Sequence, residues 1–202
     1  GEDKKKFKTR SGETVRLRDL LDEAVRRAHI IVQEKNPDFD EAQQLAIAKV
    51  IGIGAVKYAD LCQNRMSDYV FSFDKMLSLQ GNTAPYLIYA YVRIQSIARK
   101  GGIDYAHLDP TALETLETVE ELDLAYGILR FPETVALAAR EFAPNRLTDY
   151  LYELSQTFSR FYTNNRVLGD ARETTRLALC NITARVLEQG MHLLGIGVIE
   201  QM

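Results

Sequence analysis

The sequence predicts an all-α protein, a helix bundle, and three observations carry that expectation. Apolar residues recur at helical spacing over long stretches, as in Leu147, Tyr150, Leu151, Leu154, Phe158 and Phe161, and again in Leu177, Cys180, Ala184, Leu187, Met191 and Leu194. Proline stands where a first helical turn tolerates it, at Ala84-Pro85, Asp109-Pro110 and Phe131-Pro132. With 46% hydrophobic and 26% charged residues, the 202-residue chain has the composition of a packed globular protein rather than a disordered or disulfide-dense one.

Taken in order, residues 7–15 mix turn formers with short β-compatible pieces and read as a loop or hairpin. From Leu17 the pattern becomes helical, with Leu20, Leu21, Ala24, Val25, Ala28 and Ile31 on the inner side, until Asn36-Pro37-Asp38 breaks it. A second helix from about Asp40 to Cys62 is expected to bury Leu45, Val50, Ile53, Val56 and Leu61. Gly52 and Gly54 each weaken it by about 1 kcal/mol relative to alanine, and close helix packing is the reading that explains them. The Gly-Ile-Gly spacing is no nucleotide-binding loop, because no strand precedes it.

The alternation in Tyr69-Val-Phe-Ser-Phe73 fits a short strand or an extended aromatic plug. A loop over Gln80 to Pro85 leads into a helix to about Arg99, ended by Lys100-Gly101-Gly102. An acidic helix is expected from Asp109-Pro110 through Leu113, Leu116, Val119, Leu122 and Leu129. Phe131-Pro132 restarts the pattern to about Phe142, and two strongly periodic helices follow, the last with Asn181, Arg185, Glu188 and His192 as a polar stripe.

Several function classes recede on composition alone. A formal net charge of -3 argues against bulk attraction to nucleic acid, so any RNA contact must be local. Charge is uneven: Lys4, Lys5, Lys6, Lys8 and Arg10 cluster at the start, while Asp104 to Asp123 is acidic and nearly free of bases. No apolar run approaches the roughly 18 residues of a membrane span and no secretory signal is visible, which places the protein in the cytoplasm. Cys62 and Cys180 read as buried free thiols, and His29, His107 and His192 have neither metal-ligand spacing nor a nucleophile beside them, so no metal site is expected. Acidic side chains read as solvated helix surface, since no apolar pocket that would shift them is apparent.

The segment Tyr86-Leu-Ile-Tyr89-Ala-Tyr91-Val-Arg93 is more informative. On a helix Tyr86, Tyr89 and Arg93 share a face, and no acidic residue lies between Asp74 and Asp104, so Arg93, Arg99 and Lys100 leave it locally positive. Aromatic planes that stack on unpaired bases, with arginine for phosphates, suit a single-stranded RNA loop at about 1 to 3 kcal/mol per stacked base. Spacing alone favours ordinary core tyrosines over this reading. Tyr162 and Arg166 form a second such pair one turn apart.

These residues also carry a resemblance. Ala55 to Arg65, Tyr69 to Leu77 and Gly81 to Arg93 resemble, in order, the arginyl-tRNA synthetase family. Tyr150 to Leu154, Phe161 to Leu168 and the ending Leu193 to Met202 look like that family's helical anticodon-binding domain, the DALR type. The resemblance implies three regions: residues 1–16, a remnant of a KMSKS-like catalytic loop; 17–84, connecting helices; and 85–202, the DALR bundle. It implies anticodon contacts from Asn82, Thr83, Tyr86, Tyr89, Arg93, Tyr162, Arg166 and Met202, with Arg166 standing where an aromatic occurs in some relatives. Lys6, Phe7, Lys8, Thr9 and Arg10 match the loop that steadies ATP phosphates, where lysine charge offsets charge moving onto pyrophosphate.

On this reading the chain is the C-terminal, tRNA-binding portion of a ligase that joins arginine to tRNA(Arg), converting ATP to AMP and pyrophosphate. The HIGH-type signature, the Rossmann sheet and the arginine pocket are expected upstream, so this portion alone should not catalyse. It binds no cofactor itself; ATP with Mg and arginine are substrates of the whole enzyme. The expected partners are tRNA(Arg) and the preceding catalytic domain, with neither DNA nor membrane, in a monomer. The rivals are a free-standing helical protein-interaction module and a residual enzyme that handles ATP with its lysine-rich loop.

Overall fold

The Asn36-Pro37 break produces a helical hairpin at the start of the described chain. In this computed structural model, which describes residues 16–108 and 115–202, α1 (Leu17–Lys35) packs along α2 (Glu41–Leu61). The readings for residues 7–15, for Lys6 to Arg10, and for a helix start at Asp109-Pro110 lie outside the described residues. Asp40 opens α2 through a capping box, accepting from the Gln43 amide while its own amide donates to the Gln43 side chain. Such a cap contributes about 1 kcal/mol.

The face that α2 buries differs from the expected one. Gln44, Ile47, Ala48, Ile51, Gly52, Gly54, Ala55 and Tyr58 are inside; Leu45 is exposed, and Val50, Ile53, Val56 and Leu61 are only half-buried. The two glycines set this register. A Cβ on Gly52 would lie 2.7 Å from the Cα and N of Val25, so α1 and α2 touch backbone to backbone there. Gly54 faces the other way, toward Ile196, whose Cγ2 would be 3.1 Å from an added Cβ. In α1 the closely packed residues are correspondingly small, Ala24 and Ala28, with Val32 beyond them, and Leu17 is exposed.

Residues 68–72 form no strand; Tyr69 and Val70 are exposed, while Phe71 is half-buried and meets Phe73 edge to face at 4.9 Å. Phe73 begins the single turn α3 (Phe73–Met76). Thr83 then caps α4 (Ala84–Gly101), accepting from the Tyr86 amide, and Gly102 ends it in the left-handed region at φ 65. A 3-10 turn (Tyr105–His107) follows.

The acidic helix is shorter than expected. Residues 115–118, Leu116 included, are not helical, and α5 (Val119–Leu129) starts behind a second capping box, between Thr118 and Glu121. Helix α6 (Phe131–Glu141) follows at once and ends on Phe142 at φ 50. The long helices α7 (Pro144–Asn164) and α8 (Glu173–Leu193) complete the set. No strand occurs among the described residues.

Helix α4 lies at the centre against α2, α7 and α8, while α5 packs on both α7 and α8 and α6 packs on α7. One apolar core runs through all of this, with Tyr58, Leu87, Ile88, Ile94, Leu151, Phe158, Phe161, Leu187 and Met191 fully enclosed. The fold is thus the expected all-α bundle. Cys180 is fully buried, but Cys62 is only half-buried at the end of α2; both are free. Asn181, expected in a polar stripe, is buried and donates to the Tyr105 carbonyl. No helix among the described residues is long and apolar enough to cross a membrane.

Candidate nucleic-acid interface

Helix α4 is inserted so deeply that most of its surface is lost, and what stays outside is selective. Leu87, Ile88, Ala90, Tyr91 and Val92 are buried, whereas Tyr89 between them is 40% exposed. Residues one, two and three turns on from Tyr89, namely Arg93, Ser96 and Lys100, continue the same open stripe. At the end of α7 Phe158 and Phe161 point inward, and Tyr162 lies outside, its ring stacked on Phe158 with centroids 6.1 Å apart.

The two exposed tyrosines approach one arginine. Arg93 Cζ lies 4.9 Å from the Tyr89 ring centroid and 5.6 Å from that of Tyr162, and its Nη2 donates to the Tyr89 hydroxyl at 3.3 Å. Each cation–π contact of this kind contributes about 0.5 to 1 kcal/mol at an exposed site and restrains both partners. The rings and the guanidinium are therefore ordered before any ligand arrives.

Around them opens a cleft of about 1070 Å³. One wall is α4, with Tyr89, Arg93, Ser96, Arg99 and Lys100; the other is the end of α7 and the following turn, with Tyr162, Asn165 and Arg166. Met202 lines it from the C-terminal tail. That tail is turned back by Gly195 at φ 69, pinned by Lys57, which donates to the Gly195 carbonyl, and anchored by buried Ile196. Arg99 holds its last stretch by donating to the Glu200 carbonyl at 2.8 Å.

Arg93, Arg99, Lys100 and Arg166 contribute four cationic side chains to the lining, and no carboxylate side chain is among the lining residues. In a chain of net charge -3 that concentration is local by construction. Among the described residues no group of His, Cys, Asp and Glu could hold a metal ion.

The structure thus brings Tyr89, Arg93, Tyr162, Arg166 and Met202 to one cleft. It places the others elsewhere. Tyr86 turns toward α7 and meets Tyr152 edge to face at 5.4 Å, and burial raises its pKa. Thr83 is the buried N-cap of α4. Asn82 donates to Asp149 at 3.1 Å and accepts from the Tyr58 hydroxyl at 2.5 Å, tying the loop before α4 to α2 and α7. Burial lifts the Asp149 carboxyl above its usual range, against the lowering effect of that amide.

Phe39, which also lines the cleft, had no signal in the sequence, because it comes from the link between α1 and α2. Arg99 and Lys100 were visible only as a stretch without acids.

A helix bundle with a basic, aromatic cleft on its central helix, lined by no Asp or Glu side chain, is the class the fold and the site define. The family model described as the DALR anticodon binding domain matches residues 87–202, and that of the class I (R) tRNA synthetase catalytic domain matches residues 1–73. The chain belongs to the DALR anticodon-binding domain family.

Among curated relatives, an arginine–tRNA ligase of Synechococcus sp. is 57% identical over all of this chain, and one of Synechocystis sp. is 53% identical. The chain spans 35% of the length of each. Among solved structures, the arginyl-tRNA synthetase of Plasmodium falciparum superposes with a TM-score of 0.85 at 37% identity, covering 93% of this chain and 34% of that one. That of Thermus thermophilus gives 0.82 at 33% identity, covering 95% and 33%.

Proposed function

We propose that the cleft between α4 and the end of α7 binds the anticodon loop of tRNA(Arg), as part of a ligase that joins arginine to that tRNA. The observation that carries this reading is the meeting of Tyr89, Arg93 and Tyr162 in a cleft lined by four cationic side chains and no Asp or Glu side chain. Unpaired bases stack on the tyrosine rings, and Arg93, between the rings, reaches base edges or phosphate. Arg99, Lys100 and Arg166 lie along the cleft where a backbone turning through it would pass.

The whole protein, on this reading, works in the cytoplasm with ATP, carried as its Mg complex, and arginine as its small-molecule substrates. Lys6 and Lys8, in the segment Lys6 to Arg10, supply charge to the phosphates of ATP. The described part of the chain contributes binding rather than chemistry.

Fluorescence-anisotropy titration with an anticodon stem-loop carrying an arginine anticodon, against a scrambled-loop control, tests the reading. Tyr89→Ala is expected to weaken binding to the cognate loop by about 1 to 3 kcal/mol, the contribution of one stacked base. If all four cations meet phosphates, the slope of log K against log salt approaches about -3, since each contact to a single strand contributes about -0.7. Equal affinity for both loops, or binding indifferent to salt, would point instead to a protein-docking face.

A further inference from the structure

The wall of the cleft that carries Arg166 lies just beyond α7, whose tie to it is at Asn165, where the backbone and side-chain amides both donate to the Phe161 carbonyl. Helix α7 ends at Asn164, and the chain from Asn165 to Arg172 is a turn in which Gly169 adopts φ 70. Arg166 folds back over this turn: its Nε donates to the Leu168 carbonyl at 2.9 Å, and a Cβ on Gly169 would lie 3.1 Å from its Nη2. The backbone carbonyl of Arg166 accepts from Nη1 of Arg176 at 2.7 Å.

Arg176 lies in the first turns of α8, and its side chain is only 8% exposed. Its Nε donates to Oε1 of Glu121 at 2.9 Å, and Nη1 also lies 3.2 Å from Asp170 Oδ1. Glu121, in the first turn of α5, has no exposed side-chain surface. It accepts further from Arg172 and from the amides of Glu117 and Thr118.

The planar guanidinium of Arg176 therefore bridges two elements, the start of α5 and the turn forming the cleft wall. A point-like ammonium could not hold both in one geometry. Apolar side chains would pack such a buried position at least as stably as ions, so the ion pair itself is weak evidence of a stability role.

We propose that Arg176 is a positioning residue for RNA binding: anchored on Glu121, it holds the Arg166 carbonyl and so fixes the wall bearing Arg166 opposite the wall bearing Tyr89 and Arg93. This rests on the reading of the cleft as the RNA site. It assigns affinity to a residue that touches no RNA.

Arg176→Met keeps the volume, leaves Glu121 paired with Arg172 and two amides, and frees the Arg166 carbonyl to take water. The test is a double-mutant cycle of Arg176→Met and Arg166→Ala, using the 202-residue chain and a stem-loop with 2-aminopurine in the anticodon loop. Anisotropy gives affinity, and 2-aminopurine quenching reports stacking. Thermal melts place each variant well below its unfolding transition.

Arg176→Met is expected to weaken binding about tenfold, and by less than about twofold once Arg166 is alanine, because the two act through one wall. Arg176→Lys is expected to recover part of the loss, with 2-aminopurine quenching still intermediate. If Arg176→Met does not fold, Arg176→Lys takes its place in the cycle, with a smaller loss expected that again largely disappears once Arg166 is alanine, and wild-type-like binding overturning the proposal.

Wild-type-like binding by Arg176→Met while Tyr89→Ala loses affinity would overturn the proposal and leave the RNA site standing. Losses that multiply in full in the double variant would also overturn it. Absence of any preference of the wild-type chain for the cognate loop would remove the RNA site and this proposal together.

Discussion

Glu121→Gln is expected to lower the unfolding free energy by about 3 to 5 kcal/mol, the usual cost of removing one partner from a buried ion pair. The loss falls toward the lower end of that range, because Arg172 retains Glu117 at 2.7 Å and Arg176 retains Asp170 at 3.2 Å. What cannot be replaced is the hub: Glu121 faces both guanidiniums and two backbone amides with no side-chain exposure.

The same contacts set its ionisation. Burial opposes the charged form, but hydrogen bonds from Arg172, the Glu117 amide, Arg176 and the Thr118 amide outweigh it and hold the pKa at about 2, against 4.5 for an ordinary glutamate. A carboxylate depressed in the folded state contributes stability that is complete above the unfolded pKa and is lost as pH falls through the folded one. Urea unfolding from neutral pH downward should therefore show wild type and Glu121→Gln well separated above pH 4.5 and converging as pH falls toward about 2. A gap that stayed constant over this window would mean that the carboxylate charge is not what the two arginines require.

The second large effect is expected at Gly52. Alanine there gains about 1 kcal/mol of helix propensity. Its Cβ, however, would meet the backbone of α1 at 2.7 Å from Val25 Cα and N and 2.8 Å from Ala24 C. Backbone cannot rotate aside as a side chain can, so α1 must move away along its contact with α2. Overpacking of this kind costs roughly 1 to 3 kcal/mol, and Gly52→Val, with two further methyl groups, should reach or exceed the upper figure.

Gly54→Ala is the internal control. Its Cβ would meet a side-chain atom, Ile196 Cγ2, at 3.1 Å, and a few tenths of an ångström of give suffices. Urea midpoints should rank wild type and Gly54→Ala close together, Gly52→Ala below them and Gly52→Val lowest. Gly52→Ala at wild-type stability would contradict the backbone contact.

These two positions also show what the sequence could and could not reveal. The helical period exposed α7 and α8 directly, because large apolar residues recur along both, although α8 is enclosed on every side over residues 175–181. In α2 the period misled: the large residues suggested one face, but the face in contact with α1 was chosen by a glycine, whose missing side chain carries no hydrophobic signal. Close packing was legible from Gly52 and Gly54, while their directions, one toward α1 and one toward the C-terminal tail, were not.

Glu121 was invisible for a different reason. It stands in an acidic stretch and reads as a solvated surface residue, yet its counter-charges come from Arg172 and Arg176 more than fifty positions further on. Nothing local marks such a pairing. The capping box with Thr118, by contrast, is a local pattern, and it explains why α5 starts at Val119.

The candidate interface was half legible. Spacing and the absence of acids marked Tyr89 and Arg93 as candidates, and the same pairing one turn apart marked Tyr162 and Arg166, but it was the family resemblance that favoured all four over ordinary core residues. Tyr86 shares the period but is drawn onto Tyr152, since the start of α4 is covered by α7 where its middle is open. Phe39 and Met202 reach the cleft only through the folding of a link and a tail.

The account rests on RNA entering the cleft between Tyr89 and Tyr162, and photo-crosslinking locates it most directly. An arginine-anticodon stem-loop with 5-iodouridine or 4-thiouridine at successive loop positions would be irradiated with the chain, and the adducts mapped by mass spectrometry. Crosslinks at Tyr89 or Tyr162, competed by cognate but not by scrambled loop, are the predicted result. Adducts confined to the exposed side of α5 and α6, or equal for both loops, would contradict the account.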